Sequence, residues 1–331
     1  VSPLLYSLYT NDMEIELITQ NCKSYELKML NLYLLMYADD MVLFSESITD
    51  LQKMIDAVNV YSNKYDLYIN FSKTKIVIFR NRGKIRPEEQ WYINGKAIDV
   101  CNEFMYLGIL FYYTGNFANT QKKLSEQGKK AVFSIFNKIH DDYYNPETLL
   151  SLFDTYVASI LNYCSEIWGF HMAPNIEKVH LYFLKRILKV KMSAVTNMIY
   201  CELGRLPMYI ERQYRMVKYW LKILSTENCI LKNCYDEMYD RSFIKKNDKQ
   251  NWCCKIRDIL FRYGFNYVWL NQSVVCKDIF LSQLKERMLG VFISEVTMFF
   301  ENSNKCHLYR YMYCTHTLQF YLDRPVNYIY K

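Results

Sequence analysis

Apolar and polar positions follow two different periods along this chain. From Leu32 to Phe44 an apolar run, Leu-Tyr-Leu-Leu-Met-Tyr, is interrupted by Ala38-Asp39-Asp40 and resumes as Met-Val-Leu-Phe. This predicts two short strands around an Ala-Asp-Asp turn. Leu51, Met54, Ile55, Val58 and Tyr61 then keep helical spacing. They predict a helix over 49–65 with one apolar face, with Ser47 as its cap and Asp50 three residues on. Leu67 to Phe71, Lys75 to Phe79 and Phe104 to Phe111 read as strands. Tyr92 to Ile98 reads as a hairpin, because Asn94-Gly95 tolerates the positive φ angles of a type I′ turn.

After Gly115 the period lengthens to that of helices. Leu124, Ala131, Val132, Ile135, Phe136 and Ile139 form one stripe. Asn145 caps the next helix, with Pro146 at its first position and Leu149, Phe153, Val157, Ile160 and Leu161 facing inward. Further stripes cover 176–188 and 210–224, and residues 250–331 read as mostly helical. The predicted fold is α+β: a partial palm over residues 1–112, a helical thumb-like region over 113–225 and a helical C-terminal region over 226–331. The palm is expected to be a small antiparallel sheet with a backing helix, in the split βαβ style.

Composition narrows the class. Of 331 residues, 51% are apolar and 23% charged, which is globular and excludes disorder. Nine Gly and six Pro are too few for a collagen-like or many-turned all-β design. No stretch reaches the roughly 18 uncharged apolar residues of a membrane span, so no membrane partner is expected. The chain starts at Val1 with no basic start followed by an apolar core, which leads to the expectation of an internal piece of a longer polypeptide with no signal peptide. Eleven cysteines at irregular spacing fit reduced thiols in an intracellular protein, nuclear or cytoplasmic and not secreted. Cys306, His307, Cys314 and His316 lack the paired spacing of structural zinc sites, so buried or surface side chains are the favoured reading.

The net charge of +7 is uneven. Residues 1–114 carry 11 Lys/Arg against 14 Asp/Glu, residues 115–222 carry 15 against 9, and residues 223–331 carry 15 against 11. An acidic region suited to cations thus precedes a basic region suited to a polyanion.

The chemistry concentrates at Tyr37-Ala38-Asp39-Asp40. Adjacent carboxylates between two apolar strands repel one another, and a hard cation relieves that cost. In a chain with 31 Tyr, a Tyr-x-Asp-Asp tetrapeptide arises by chance only about 0.07 times. Ser2-Pro3-Leu4-Leu5-Tyr6-Ser7-Leu8-Tyr9 precedes it, and Asn70-Phe71-Ser72-Lys73-Thr74-Lys75 and Phe104-Met105-Tyr106-Leu107-Gly108 follow it. In order and spacing these four segments resemble the reverse transcriptases of LINE-type, non-LTR retrotransposons. They correspond to the template-contacting, catalytic, pyrophosphate-assisting and primer-grip motifs. Tyr163 to Gly169 and Glu202 to Pro207 resemble the helical region that follows the polymerase core.

The resemblance implies RNA-directed DNA polymerisation, in which a primer 3′-hydroxyl attacks the α-phosphate of a dNTP. It implies Asp39 and Asp40 as catalytic metal ligands for Mg²⁺, with Asp39 the better ligand, and Lys73 as the group that helps pyrophosphate leave. Tyr37 and Gly108 fall at the nucleic acid, Gly108 allowing close approach of the primer backbone. Lys122, Lys123, Lys129 and Lys130 on the first basic helix could hold phosphates by charge, as could Lys185, Arg186, Lys189 and Lys191, and Arg212, Arg215, Lys218 and Lys222. The implied partners are an RNA template, a DNA primer and dNTP. In the family a further palm Asp, the fingers and an endonuclease domain lie upstream of the template-contacting motif, so the carboxylate pair is expected to be a partial cradle. Two readings stay open on the residues alone. One is a slice of a polymerase that acts within a longer polypeptide. The other is an inactive transposon remnant that at most binds nucleic acid nonspecifically.

Overall fold

The Ser47 hydroxyl accepts the backbone N–H of Asp50 at 3.0 Å and starts the helix on which the N-terminal region is built. The computed structural model describes residues 2–81, 83–139, 144–244, 251–303, 306, 309 and 316–322. The chain divides into two units, residues 1–116 with 227–245, and residues 117–226 with 246–331.

In the first unit, α1 (Ser2–Tyr9) and α2 (Met13–Thr19) lead into two hairpins, β1–β2 (Tyr25–Leu27, Leu30–Leu32) and β3–β4 (Leu34–Tyr37, Asp40–Leu43). Next come α3 (Ile48–Lys64), β5 (Lys75–Val77), the hairpin β6–β7 (Tyr92–Ile93, Lys96–Ala97), β8 (Asp99–Cys101) and the hairpin β9–β10 (Glu103–Tyr106, Ile109–Tyr112). The strands pair two by two, and all pairs are antiparallel except β5–β8, which is parallel. The core forms on α3: Met54, Val58 and Tyr61 bury against Met13 and Leu17, while Ile55 buries against Trp91, Ile93 and Ile98. Trp91 donates its indole N–H to the Ile48 carbonyl at 3.0 Å. The Gln52 amide both donates to and accepts from the Tyr92 backbone at 2.9 Å, so α3 holds β6 by its edge. A later helix, Cys229–Ile244, also belongs to this unit. Its Asp240 pairs with Lys28 at 2.5 Å, at the tip of β1–β2.

Two expectations for this unit are corrected. Phe104 to Phe111 is not one strand but the hairpin β9–β10, because Leu107 and Gly108 take φ of 46° and 82° and reverse the chain. Leu67 to Phe71 forms no ladder. Asp66 turns the chain at φ 52°, and the Asn70 side chain then accepts from Lys73 N and Ser72 Oγ, closing a local turn in place of a strand.

The second unit begins with α4 (Ala118–Lys138). Asn145 accepts the N–H of Thr148 at 2.9 Å and caps α5 (Pro146–Leu152), which runs through one π turn, Phe153–Ala158, into α6 (Ser159–Leu161). Then follow α7 (Ser165–Trp168), α8 (Pro174–Ile187), α9 (Thr196–Glu202) and α10 (Met208–Leu224). Cys229–Ile244 is α11, and α12 (Trp252–Arg262), α13 (Asn266–Asn271) and α14 (Lys277–Asn302) complete the set. Phe153, Leu161, Trp168, Phe183 and Trp220 form the fully buried centre. Gly128 of α4 is where Leu161 comes closest: a Cβ there would lie 2.4 Å from the Leu161 Cδ2. Among the described residues, no helix is long and apolar enough to cross a membrane.

A buried polar knot ties α8 to α10. The Glu177 carboxylate accepts the N–H groups of Met208 (3.0 Å) and Tyr209 (2.8 Å), capping the positive end of α10. It also accepts from Arg212 at 3.0 Å, and Arg212 donates to the Met172 carbonyl at 3.0 Å while lying over the Trp168 ring. Arg212 is fully buried. The expectation that it holds phosphate is therefore corrected: its guanidinium neutralises a buried carboxylate inside the fold.

Candidate active site and nucleic-acid surface

The β3–β4 hairpin places its side chains by register. Met36 faces Met41 and Leu34 faces Leu43, and these four pack down on the α3 core. Side chains alternate across a strand, so Tyr37 and Asp40, which face each other, stand on the opposite, solvent side. Tyr37, Asp39 and Asp40 are all exposed. Ala38 and Asp39 form the two-residue loop, and Ala38 takes φ 52°, which its small side chain tolerates. The two carboxylates thus occupy neighbouring positions at the tip of the hairpin, one in the turn and one at the first position of β4.

Two tyrosines on other elements feel the charge of this tip. Burial first, and then the charge of Asp39, holds the Tyr6 hydroxyl above its ordinary value. Burial and the charge of Asp40 do the same for Tyr106. Tyr6 lies on α1, and Tyr106 ends β9 immediately before the Leu107-Gly108 turn. Two of the other motif segments thus each place a tyrosine within electrostatic reach of the acidic turn. Neither tyrosine was singled out from the sequence, although both lie inside those segments.

Lys73 lies in a different loop. It is exposed, and its backbone is fixed by the Asn70 carbonyl at 3.1 Å. Among the described residues, no ion pair joins it to Asp39 or Asp40. Its neighbour Lys75 pairs with Asp99 at 2.5 Å across β5–β8. Gly108, at φ 82°, is the second residue of the β9–β10 turn and faces no steric penalty there.

As donors, Asp39 and Asp40 offer hard carboxylate oxygens of the kind Mg²⁺ takes, and such sites complete their shells with substrate phosphates and water. Among the described residues, no group of three or more His, Cys, Asp or Glu could hold a metal ion. Cys306 is buried with its Sγ 3.8 Å from the Met198 Sδ, and the His316 ring meets Phe292 edge-on at 5.4 Å. His307 and Cys314 lie outside the described residues.

The lysines of α4 split into two sets. Lys122 and Lys129, seven residues apart, share one face and line a groove of about 550 Å³ against α8, with Glu126 between them. Lys123 and Lys130 project about 100° further round the same helix. On α8, Lys178 is exposed and joins the groove. Lys185 is buried and donates to the Met192 carbonyl at 2.7 Å, and Arg186 stacks on Phe136 at 3.9 Å, so the basic run there is partly structural.

A family model described as reverse transcriptase (RNA-dependent DNA polymerase) matches residues 1–111. Over 202 residues, 57% of this chain, the sequence is 24% identical to the RNA-directed DNA polymerase from mobile element jockey of Drosophila funebris, and covers 21% of it. Over 150 residues, 43% of this chain, it is 27% identical to a transposon-derived protein of Caenorhabditis elegans, and covers 51% of it. The chain thus spans about half the length of one curated relative and about a fifth of the other. No solved structure matches it. With the family model lying over the segments around Asp39 and Asp40, residues 1–111 belong to the reverse transcriptase family, and the chain is similar to the polymerase of a LINE-type mobile element.

Proposed function

We propose that this chain supplies the acidic turn and the following helical region of an RNA-directed DNA polymerase that copies an RNA template onto a DNA primer. The observation that carries this is the pair of exposed, adjacent carboxylates at the β3–β4 tip, within residues that match the reverse transcriptase family.

The family uses divalent metal, and Mg²⁺ is the ion the donor set fits. When bound, it would activate the attacking primer hydroxyl and stabilise the leaving oxygen. Asp39 and Asp40 present their oxygens from neighbouring positions of the hairpin tip, where both can reach one ion. Lys73, on its Asn70-fixed turn, supplies positive charge to the departing pyrophosphate. Tyr37 and the Leu107-Gly108 turn lie where primer and template backbones pass. The basic helices after residue 114 hold phosphates and carry no base readout. An intracellular location, nuclear or cytoplasmic, is part of the same proposal, since nucleic acids would be the substrates.

Primer extension on an RNA template by the full reading frame that contains this chain tests the proposal. Asp39→Asn is expected to lower incorporation by about a thousandfold or more, and Lys73→Ala by about tenfold or more. Unchanged incorporation in Asp39→Asn would overturn it.

A further inference from the structure

The groove between α4 and α8 combines charge with partly exposed aromatic surface. Lys122, Glu126 and Lys129 line it from one face of α4, and Phe133, one turn on, stands beside it through its contact with Tyr182. Across from them stand Lys178 and Tyr182 of α8, and Met192 closes one end. The Phe133 and Tyr182 rings lie 5.8 Å apart, tilted by 58°. Phe133 is 44% exposed and Met192 53% exposed, which is high for apolar side chains beside packed helices. Three exposed lysines against one carboxylate leave the groove positive.

We infer that this groove binds single-stranded nucleic acid, with Tyr182 and Phe133 receiving unpaired bases and Lys122, Lys129 and Lys178 tracking the phosphates. Any base has a π-face, so stacking of this kind tolerates all sequences, and cations beside the rings hold the backbone. A space of about 550 Å³ admits an unpaired base or two and is far too small for a double helix. In a duplex the bases are already stacked on one another, so the aromatic side chains would gain nothing from it. Charge decides against an acidic peptide less clearly than the rings do, because a peptide has no need of a partly exposed pair of aromatic rings.

The inference rests on the nucleic-acid reading above but not on catalysis. Loss of primer extension in Asp39→Asn would leave binding here unchanged, and loss of binding here would leave the acidic turn intact.

The test is fluorescence anisotropy of a labelled mixed-sequence 12-nucleotide strand with the 331-residue chain, against a duplex of the same length. Single strands should bind more tightly than duplex, with a log–log salt slope of about −2 for three phosphate contacts at roughly −0.7 each. Lys122→Glu with Lys129→Glu should flatten that slope to about −0.7. Tyr182→Leu should weaken binding about five- to hundredfold, the size of one lost stack, and Tyr182→Phe should retain it. Circular dichroism confirms that each variant is folded. The inference is overturned if duplex binds as tightly as single strand, if Tyr182→Leu and Tyr182→Phe behave alike, or if polyglutamate displaces the strand as well as an unlabelled oligonucleotide of equal charge.

Discussion

The Asp12 carboxylate accepts the hydroxyl of Tyr65 at 2.8 Å, and its other oxygen accepts the hydroxyl of Tyr61. The bond ties the corner between α1 and α2 to the last turn of α3. Tyr9 adds a third strand to the tie by donating to the Tyr65 carbonyl at 2.9 Å. These hydrogen bonds, Tyr61 first, hold the Asp12 carboxyl below its ordinary value.

A carboxyl whose folded pKa is depressed stabilises the fold above its unfolded pKa, and that contribution is lost as pH falls through the lowered folded value. The wild-type chain should therefore keep its advantage over Asp12→Asn from neutral pH down to about pH 4 and lose it in stronger acid. Thermal melts of both proteins across pH 3–7 check this. Parallel melting curves over the whole range would show that Asp12 stays unpaired with the tyrosines in solution.

His180 should produce a second acid-side loss at higher pH. Its ring is fully buried, stacked on Phe153 at 5.0 Å, and neither nitrogen meets a hydrogen-bond partner among the described residues. Burial first, then the charges of Arg205 and Arg212, keeps it neutral well below the ordinary imidazole value. The unfolded chain then binds the proton first, so stability declines as pH drops below about 6.5. His180→Met keeps the volume and removes the polar atoms. It should raise stability by about 1 kcal/mol at pH 7.5 and by more at pH 5, read from urea midpoints.

Gly128→Ala tests the closest approach in the helical unit. Alanine ordinarily stabilises a helix by about 1 kcal/mol over glycine. Here the new Cβ would meet two atoms of the fully buried Leu161, so a net loss of about 1–2 kcal/mol is expected. Adding Leu161→Ala should make the alanine at 128 favourable again, which a double-mutant cycle by denaturation would measure as coupling.

Much of this fold was legible where a residue's local chemistry decides its conformation. Ser47, Asn145 and Asn94-Gly95 each impose a cap or turn that needs no tertiary help, and each stands where its spacing indicates. The β9–β10 turn was not legible, because leucine at φ 46° contradicts its own preference and is held there by the flanking ladder. Leu67 to Phe71 has a strand's apolar content but no partner strand, and pairing is a tertiary fact. The same holds for charge. The α4 lysines were visible as a cluster, yet only packing against α8 separates Lys122 and Lys129 from Lys123 and Lys130. Arg212 looks like any surface arginine until Glu177, thirty-five residues earlier, is seen to reach it. At the candidate site, Asp39 and Asp40 could be named from the tetrapeptide. Tyr6 and Tyr106 feel its charge only once the chain is folded.

Residues 1–331 on their own should not extend a primed template. Among the described residues no third carboxylate joins Asp39 and Asp40, and phosphoryl transfer depends almost wholly on positioning and metal electrostatics. Gel-based extension with Mg²⁺ and all four dNTPs checks this. Metal-dependent incorporation by the purified chain would mean that two carboxylates suffice.

The most direct measurement asks whether the acidic turn holds a divalent ion at all. Mn²⁺ titrated into the isotopically labelled 331-residue chain broadens backbone amide signals near any site it occupies. The expected result is selective broadening of residues 36–42, with Tyr6 and Tyr106 next, reversed by excess Mg²⁺ and absent in Asp39→Asn with Asp40→Asn. Broadening that spares this hairpin, or that persists in the double variant, would contradict the assignment of Asp39 and Asp40 as the metal-holding pair of a polymerase.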